Sequence, residues 1–348
     1  MKDRSRWLPI AQARAPFWAG VDLGGTNIKV GLVDDDGRTV AYHTEKTCVD
    51  RGPEDVCRRM GQGVHTVASL AGVPLSAIPR VGLGTPGPQD LKAGFIIRAG
   101  NFHGFDGFNV RDRVSHHAGL PVTFANDATA AGFGEHWIGA GQDIESLVLL
   151  TLGTGVGGSI VIGESTIDGA NSHASECGHI LVDPAATARM CPCGKRGHLE
   201  AYASAKSLMA MARERIDAGT AAGLAKAVAD GGLLSPELIW AQAKAGDTVA
   251  VELIDSVARW LGIGITTLLH TLDPAIVLLG GAMTFGGEPD PVGHAFLERI
   301  RAEVRERAFP LLAERTPIRF ATLGGDAGYV GAAGMARAEH HRLHPSDA

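Results

Sequence analysis

A chain of 348 residues is longer than one hydrophobic core usually serves, so two domains of about 100–200 residues each are expected, with room for a cleft between them. A formal net charge of -6, with 20% charged residues, excludes a general nucleic-acid partner and describes an ordinary soluble protein. No stretch is apolar enough to span a membrane, and the opening MKDRSRWLPIAQARAP lacks the apolar run of a secretion signal, so a cytoplasmic location is expected.

In chain order, FWAGVD (17–22) is a short apolar run ending in an acid, and LGGTN follows as a turn. IKVGLV then alternates like a strand, DDDG makes a hairpin turn, and RTVAYHTEK alternates again. A dinucleotide-binding unit needs a helix directly after its glycine loop, so these consecutive hairpins exclude it. PEDVCRRMGQGVHTVASLAG spaces its apolar residues for a helix and ends in glycine, and IPRVGLGTPG is a strand running into a Pro-Gly turn. The strand PVTFA leads to Asn126 and Asp127, with a helix starting near Ala128.

The opening layout returns at 146–162, where SLVLLTL is a strand, GTGVGG a glycine turn and SIVI a returning strand, which suggests an internal duplication. Residues 248–270 carry Leu253, Val257, Trp260, Leu261, Ile265 and Leu268 at helical spacing, ahead of the buried-looking strand AIVLLGG. A last helix is expected at about 327–340. The stretches near 216–235 and 286–291 read as loops, and the tail EHHRLHPSDA as solvated.

Glycines let backbone amides approach phosphate oxygens. The first loop, with Asp22, Gly24, Gly25, Thr26 and Asn27 and with Lys29 on the next strand, is therefore a candidate phosphate cradle, in which Asp22 could orient hydrated magnesium. Gly153, Thr154, Gly155 and Gly157, followed by Gly158, supply a second such nest, and Gly280 and Gly281 end a third buried strand. Three glycine turns at strand ends point to one nucleotide crevice; each alone is as compatible with a plain hairpin. The cysteines number five, an odd count, and Cys191 and Cys193 lie beside histidines, which favours metal binding over a disulfide framework. His179, Cys191, Cys193 and His198 offer four ligands, enough for a closed tetrahedral structural zinc site.

DLGGTNIK, GLGTPGP (82–88), NDA (126–128), GTGVGG, ECGH (176–179) and CPCGKRGHLE (191–200) together resemble the ROK sugar kinases over residues 17 to about 336. The resemblance implies an α/β, actin-like (ribonuclease H-like) fold of two similar domains flanking a cleft. The domains expected are 16–126, with the C-terminal helix packing back on it, and 127–326, which carries the zinc-binding loop; residues 1–15 form a flexible tail. It implies ATP-dependent phosphorylation of the 6-hydroxyl of a hexose, glucose first, with N-acetylglucosamine, N-acetylmannosamine or fructose as alternatives. A sugar-responsive regulator of the same family is the remaining reading, set aside because a strand at about residue 17 leaves no room for a helix-turn-helix before it.

The resemblance maps the catalytic base to Asp127; an Asn-Asp pair capping the following helix is the lesser alternative, and the two roles can coexist. It assigns the sugar hydroxyls to Asn101, Asn126, Asp127, Glu176, His179 and Glu200. One imidazole nitrogen of His179 could bind zinc while the other meets a sugar hydroxyl. The chain departs from the family pattern CxCGxxGCxE in placing His198 where a third cysteine is usual. Sugar binding is expected to close the domains, polyphosphate stays open as an alternative donor, and a homodimer or homotetramer is implied.

Overall fold

The computed structural model describes residues 7–98 and 102–345. The first stretch of chain contains β1 (Trp18–Leu23), β2 (Asn27–Val33), β3 (Thr39–Lys46), α1 (Pro53–Ala71), β4 (Val81–Thr85), β5 (Gln89–Asp90), β6 (Phe95–Ile96), β7 (Phe108–Asn109), α2 (Val110–Ala118), β8 (Val122–Asn126) and α3 (Asp127–Ile138). There follow β9 (Ser146–Leu152), β10 (Val156–Ile162), β11 (Ser165–Thr166), α4 (Glu200–Ala203), α5 (Ala205–Asp217), α6 (Ala222–Ala229) and α7 (Pro236–Lys244). The chain ends with α8 (Thr248–Leu272), β12 (Ile276–Gly281), α9 (Pro291–Arg307), α10 (Pro310–Arg315), β13 (Ile318–Phe320) and α11 (Ala327–Leu343). They form two compact units: one takes the chain up to Asp143, Ser159–Ser175 and everything from Leu323 on, the other Ile144–Gly158 and Glu176–Thr322.

The first unit is built on a sheet of order β3-β2-β1-β4-β8, antiparallel through β1, β2 and β3, with β4 and β8 parallel to β1. Alternation along the strands sorts its two faces. Val21, Leu23, Ile28 and Val30 pack with Val56, Met60 and Val64 of α1, whereas Trp18 and Val33 meet Tyr329, Val330 and Ala333 of α11. Asp22 and Lys29 have the parity of Trp18 and Val33. The helix α1 starts with Pro53 and the acids Glu54 and Asp55, and stops at Gly72 (φ 67°), whose N–H closes onto Ala68 and Ser69 carbonyls.

The helix α11 is rich in glycine and alanine, which lets it lie almost backbone to backbone on the sheet. A methyl added at Gly82 on β4 would collide with the Ala332 carbonyl, and one at Gly20 on β1 with the Tyr329 carbonyl. This helix runs past the expected end, through residues read as a solvated tail. The rings of His340 and His341 lie against buried Trp18, with centroids 5.4 and 5.8 Å away, so the indole supplies the apolar surface that keeps the last turns folded.

The second sheet has the order β11-β10-β9-β12-β13, with β9, β12 and β13 parallel, and repeats the strand order of the first. The expected helix at 248–270 is α8, which buries Leu253, Val257, Leu261, Ile265 and Leu268; Trp260 turns instead to Tyr202, with ring centroids 4.1 Å apart. Within the stretch 216–235, read as a loop, AGLAKAVA forms α6 because alanine, leucine and lysine favour helix even where polar residues flank them. No helix among the described residues is long and apolar enough to cross a membrane.

Since the α11 contact leaves no space at Gly82, Gly82→Ala should cost about 3 kcal/mol, read as a fall in the midpoint of urea unfolding. Gly25→Ala, whose methyl meets nothing within 4 Å, should shift it by under about 0.5 kcal/mol.

Candidate active site

In the first unit, parallel register carries three strand ends to one edge of the sheet. Asp22 on β1 is opposite Gly84 on β4, Gly84 is opposite Ala125 on β8, and Thr85 is opposite Asn126. The glycine hairpin after β1 and the Asn126-Asp127 pair after β8 therefore leave the same edge, two strand spacings or about 10 Å apart. Gln89 ties the intervening ends: its amide donates to Thr85 O and Thr85 Oγ1, each at 2.7 Å, and to Ala125 O at 3.2 Å.

The first hairpin turns tightly, with the Gly24 N–H donating to Asn27 O at 3.0 Å while Gly25 and Thr26 face solvent. Lys29 Nζ donates to Asp22 Oδ2 at 3.0 Å and to Gly325 O at 3.1 Å. Burial pushes the Lys29 ammonium down, but the Asp22 carboxylate more than offsets it, so its pKa is raised and the cation is kept. The hairpin is also braced from behind. Thr47 Oγ1 donates to Gly24 O at 2.6 Å and Thr47 N to Thr26 O at 3.0 Å. Buried Arg59 in turn donates to the carbonyls of Lys46 and Thr47 while pairing with Glu45 and Asp55, each at 2.9 Å.

Sequence reasoning missed Thr47, Arg59 and Gln89. Arg59 had a visible signal, a cation set among Val56, Met60 and Val64 on the apolar stripe of α1. Thr47 and Gln89 had none.

Asn126 is the N-cap of α3: its Oδ1 accepts from Ala128 N at 2.9 Å and Thr129 N at 3.4 Å, while its Nδ2 donates to Gly87 O at 3.4 Å. Asp127 is the first helical residue, where aligned backbone dipoles favour a negative charge, and its Oδ1 accepts from Ala128 N at 2.8 Å. The cap is thus made by the neighbour, and an acid at a strand end remains. Asn101 lies outside the described residues.

In the second unit, Gly280 is opposite Thr151 and Gly281 opposite Leu152, so the second glycine hairpin and the Gly280-Gly281 turn also share one sheet edge. Gly153 N donates to Gly155 O at 3.0 Å, and Thr154 is exposed at the tip. Glu200 braces this loop. Its Oε2 accepts from Val156 N at 3.0 Å and sits where a side chain on Gly155 would be, while its Oε1 is 3.8 Å from the Cys191 thiol.

The thiols and imidazoles expected to act together do converge. Ligand atoms of His179, Cys191, Cys193 and His198 all lie within 4.8 Å of one another. Cys191 Sγ is 3.7 Å from His179 Nδ1, and Cys193 Sγ is 3.2 Å from His198 Nδ1. The edges of a tetrahedral zinc site with two sulfurs and two nitrogens are about 3.3–3.8 Å, so this donor set fits such an ion with little adjustment. Burial pushes the Cys191 thiol up to about 12, as it does for Cys177. Through Nε2, His179 reaches Glu176 Oε2 at 3.9 Å, so its two ring nitrogens address different neighbours.

The ROK family model matches residues 18–339. A glucokinase of Halalkalibacterium halodurans is 32% identical over 327 residues, 94% of this chain and 97% of its own length. A solved ROK hexokinase from Thermus thermophilus has a TM-score of 0.78 and 32% identity, covering 94% of this chain and 99% of that one. A ROK family glucokinase from Streptomyces griseus, solved in complex with glucose and AMPPNP, has a TM-score of 0.75 and 34% identity, covering 92% and 99%. The two-domain, actin-like α/β fold is common to these proteins and to this chain.

Thr47→Val keeps the shape of the brace but removes the donor to Gly24 O. The expected cost is about 1–2 kcal/mol in urea unfolding, with faster amide exchange in the hairpin; unchanged exchange there would mean that the loop holds itself.

Proposed function

Because the chain belongs to the ROK family, we propose that it is a sugar kinase moving the γ-phosphoryl group of ATP to the 6-hydroxyl of a hexose, glucose ahead of N-acetylglucosamine, N-acetylmannosamine or fructose. The observation that carries this is the shared sheet edge: an acid at the end of β8 and a glycine hairpin with a retained lysine at the end of β1, about 10 Å apart.

On this reading Gly24, Gly25, Thr26 and Asn27, together with Gly153, Thr154, Gly155 and Gly157, offer backbone amides to the phosphates, and Gly280 and Gly281 leave space for the nucleoside. Asp22 would hold hydrated magnesium, with Lys29 setting the carboxylate's orientation. Asp127 takes the proton of the sugar 6-hydroxyl as that oxygen bonds to the γ-phosphorus and the bond to the ADP oxygen breaks. A loose transition state asks chiefly for position and charge, which a carboxylate fixed at a helix start supplies.

Asn101, Asn126, Glu176, His179 and Glu200 complete the hydroxyl contacts. A polar site of this kind penalises an epimer strongly, because the groups meant for the displaced hydroxyl are left unpaired. His179, Cys191, Cys193 and His198 would hold zinc, which when bound fixes the tautomer of His179 and so directs its second nitrogen to the sugar.

In a coupled ATP assay across hexoses and amino sugars, glucose should be turned over best; no turnover with any of them would remove the kinase reading. Asp127→Asn should lower kcat by about a thousandfold or more while sugar affinity, read by calorimetry, stays within about threefold. Purified protein should contain stoichiometric zinc, and a chelator should lower its thermal midpoint; metal-free protein of unaltered stability would overturn the four-ligand assignment.

A further inference from the structure

Glu135 has no part in the chemistry above, yet it lies on α3 at 0% exposure. Its carboxylate holds backbone: Oε2 accepts from Ala140 N at 2.9 Å and Oε1 from Leu323 N at 2.7 Å. Its own carbonyl accepts from Gly139 N at 3.1 Å and Gly141 N at 2.9 Å, so three consecutive amides after α3 end on one residue. Those residues lead to Asp143, where the chain first leaves the first unit, and Leu323 is where it returns for the last time. The carboxylate therefore joins the turn before one crossing to the residue after another, 188 positions apart.

Beyond Leu323 the chain turns through Gly324–Asp326, and Gly325 O accepts from Lys29, the partner of Asp22 beside the first hairpin. The amides held are those of half-buried Ala140 and Leu323, which water could satisfy in part. A fully buried acid carries a large desolvation cost, and what it adds over water is a fixed position.

We propose that Glu135 is a positioning residue for phosphoryl transfer: it fixes the first and the last of the four chain crossings and, through Leu323–Gly325, the placement of Lys29 and Asp22. This rests on the kinase reading. Two substitutions test it by different routes. Glu135→Gln turns an amide donor toward one of the two backbone donors. Gly139→Ala keeps the acid but displaces its carboxylate, because the added methyl would collide with Oε2 as well as with the Glu135 Cα.

Both variants, checked for folding by circular dichroism, are assayed beside wild type with the best hexose, and amide exchange is followed at 139–143 and 323–326 with and without that sugar. Both should lose about tenfold to a hundredfold in kcat with the sugar KM within about threefold, and exchange at 323–326 should quicken. In wild type, sugar should slow exchange in both segments. The role is overturned if the folded variants keep wild-type kcat, if kcat falls only with the folded fraction, or if sugar leaves wild-type exchange in both segments unchanged. The last reading decides the matter even if neither variant folds. If wild type itself phosphorylates no hexose, it is the kinase reading that falls; if it does and the variants match it, only the role of Glu135 falls.

Discussion

The parallel register of β1, β4 and β8 is the constraint on which the chemistry of the first unit depends. Shifting β4 by one residue against β1 would reverse its side-chain parity and move Asp22 away from Gly84, and with it the hairpin from the level of Asn126. Two features hold the register from opposite faces. Gly20 and Gly82 accept the backbone of α11 directly, so this helix fits the sheet in one position only. On the other face the apolar side chains of β1 and β2 interlock with α1, which at the same time carries Arg59 to the carbonyls behind the hairpin. Packing and site geometry are thus parts of one arrangement.

Buried or half-buried carboxylates recur as acceptors from backbone amides in both units. Asp34, fully buried, accepts from the N–H groups of Asp36 and Arg38 at the β2–β3 turn, at 3.2 and 2.9 Å. Glu135 does the same at Ala140 and Leu323, and Glu200 at Val156. Such bonds to an anion are shorter and stronger than neutral ones, and losing one leaves a buried donor unmet. Each therefore holds a turn in a defined shape at a place where no regular hydrogen-bond ladder can. Glycine loops that must stay open to a ligand have few contacts of their own, so their geometry has to be imposed from outside, as Thr47 and Glu200 impose it here.

How much of this was readable in the sequence follows from the distance between partners along the chain. The hairpins after β1 and the strand-turn-strand at 146–162 were legible because alternation and glycine turns are local signals. The convergence of His179 with Cys191, Cys193 and His198 was legible because ligand types are few and lie within 20 residues. The bond from Glu135 to Leu323 and that from Lys29 to Gly325, 296 positions apart, were not, since no local pattern marks a partner so remote. The length of α11 was misjudged for a related reason: its last turn is polar by composition and is kept helical by an indole near the other end of the chain.

The exchange of a usual cysteine for His198 has an electrostatic consequence. Two thiolates and two neutral imidazoles around a divalent zinc ion sum to no net charge, whereas three thiolates and one imidazole would leave one negative charge. Glu200 lies 3.8 Å from Cys191, and Glu176 lies 3.9 Å from His179, so carboxylates already surround this cluster. A neutral centre would add no repulsion to them. An imidazole that keeps one nitrogen for the metal and offers the other N–H outward is a donor, which suits the lone pairs of a sugar hydroxyl. On the proposed reading, with zinc bound and His179 facing the sugar, His198 would keep that arrangement while lowering the charge held beside it.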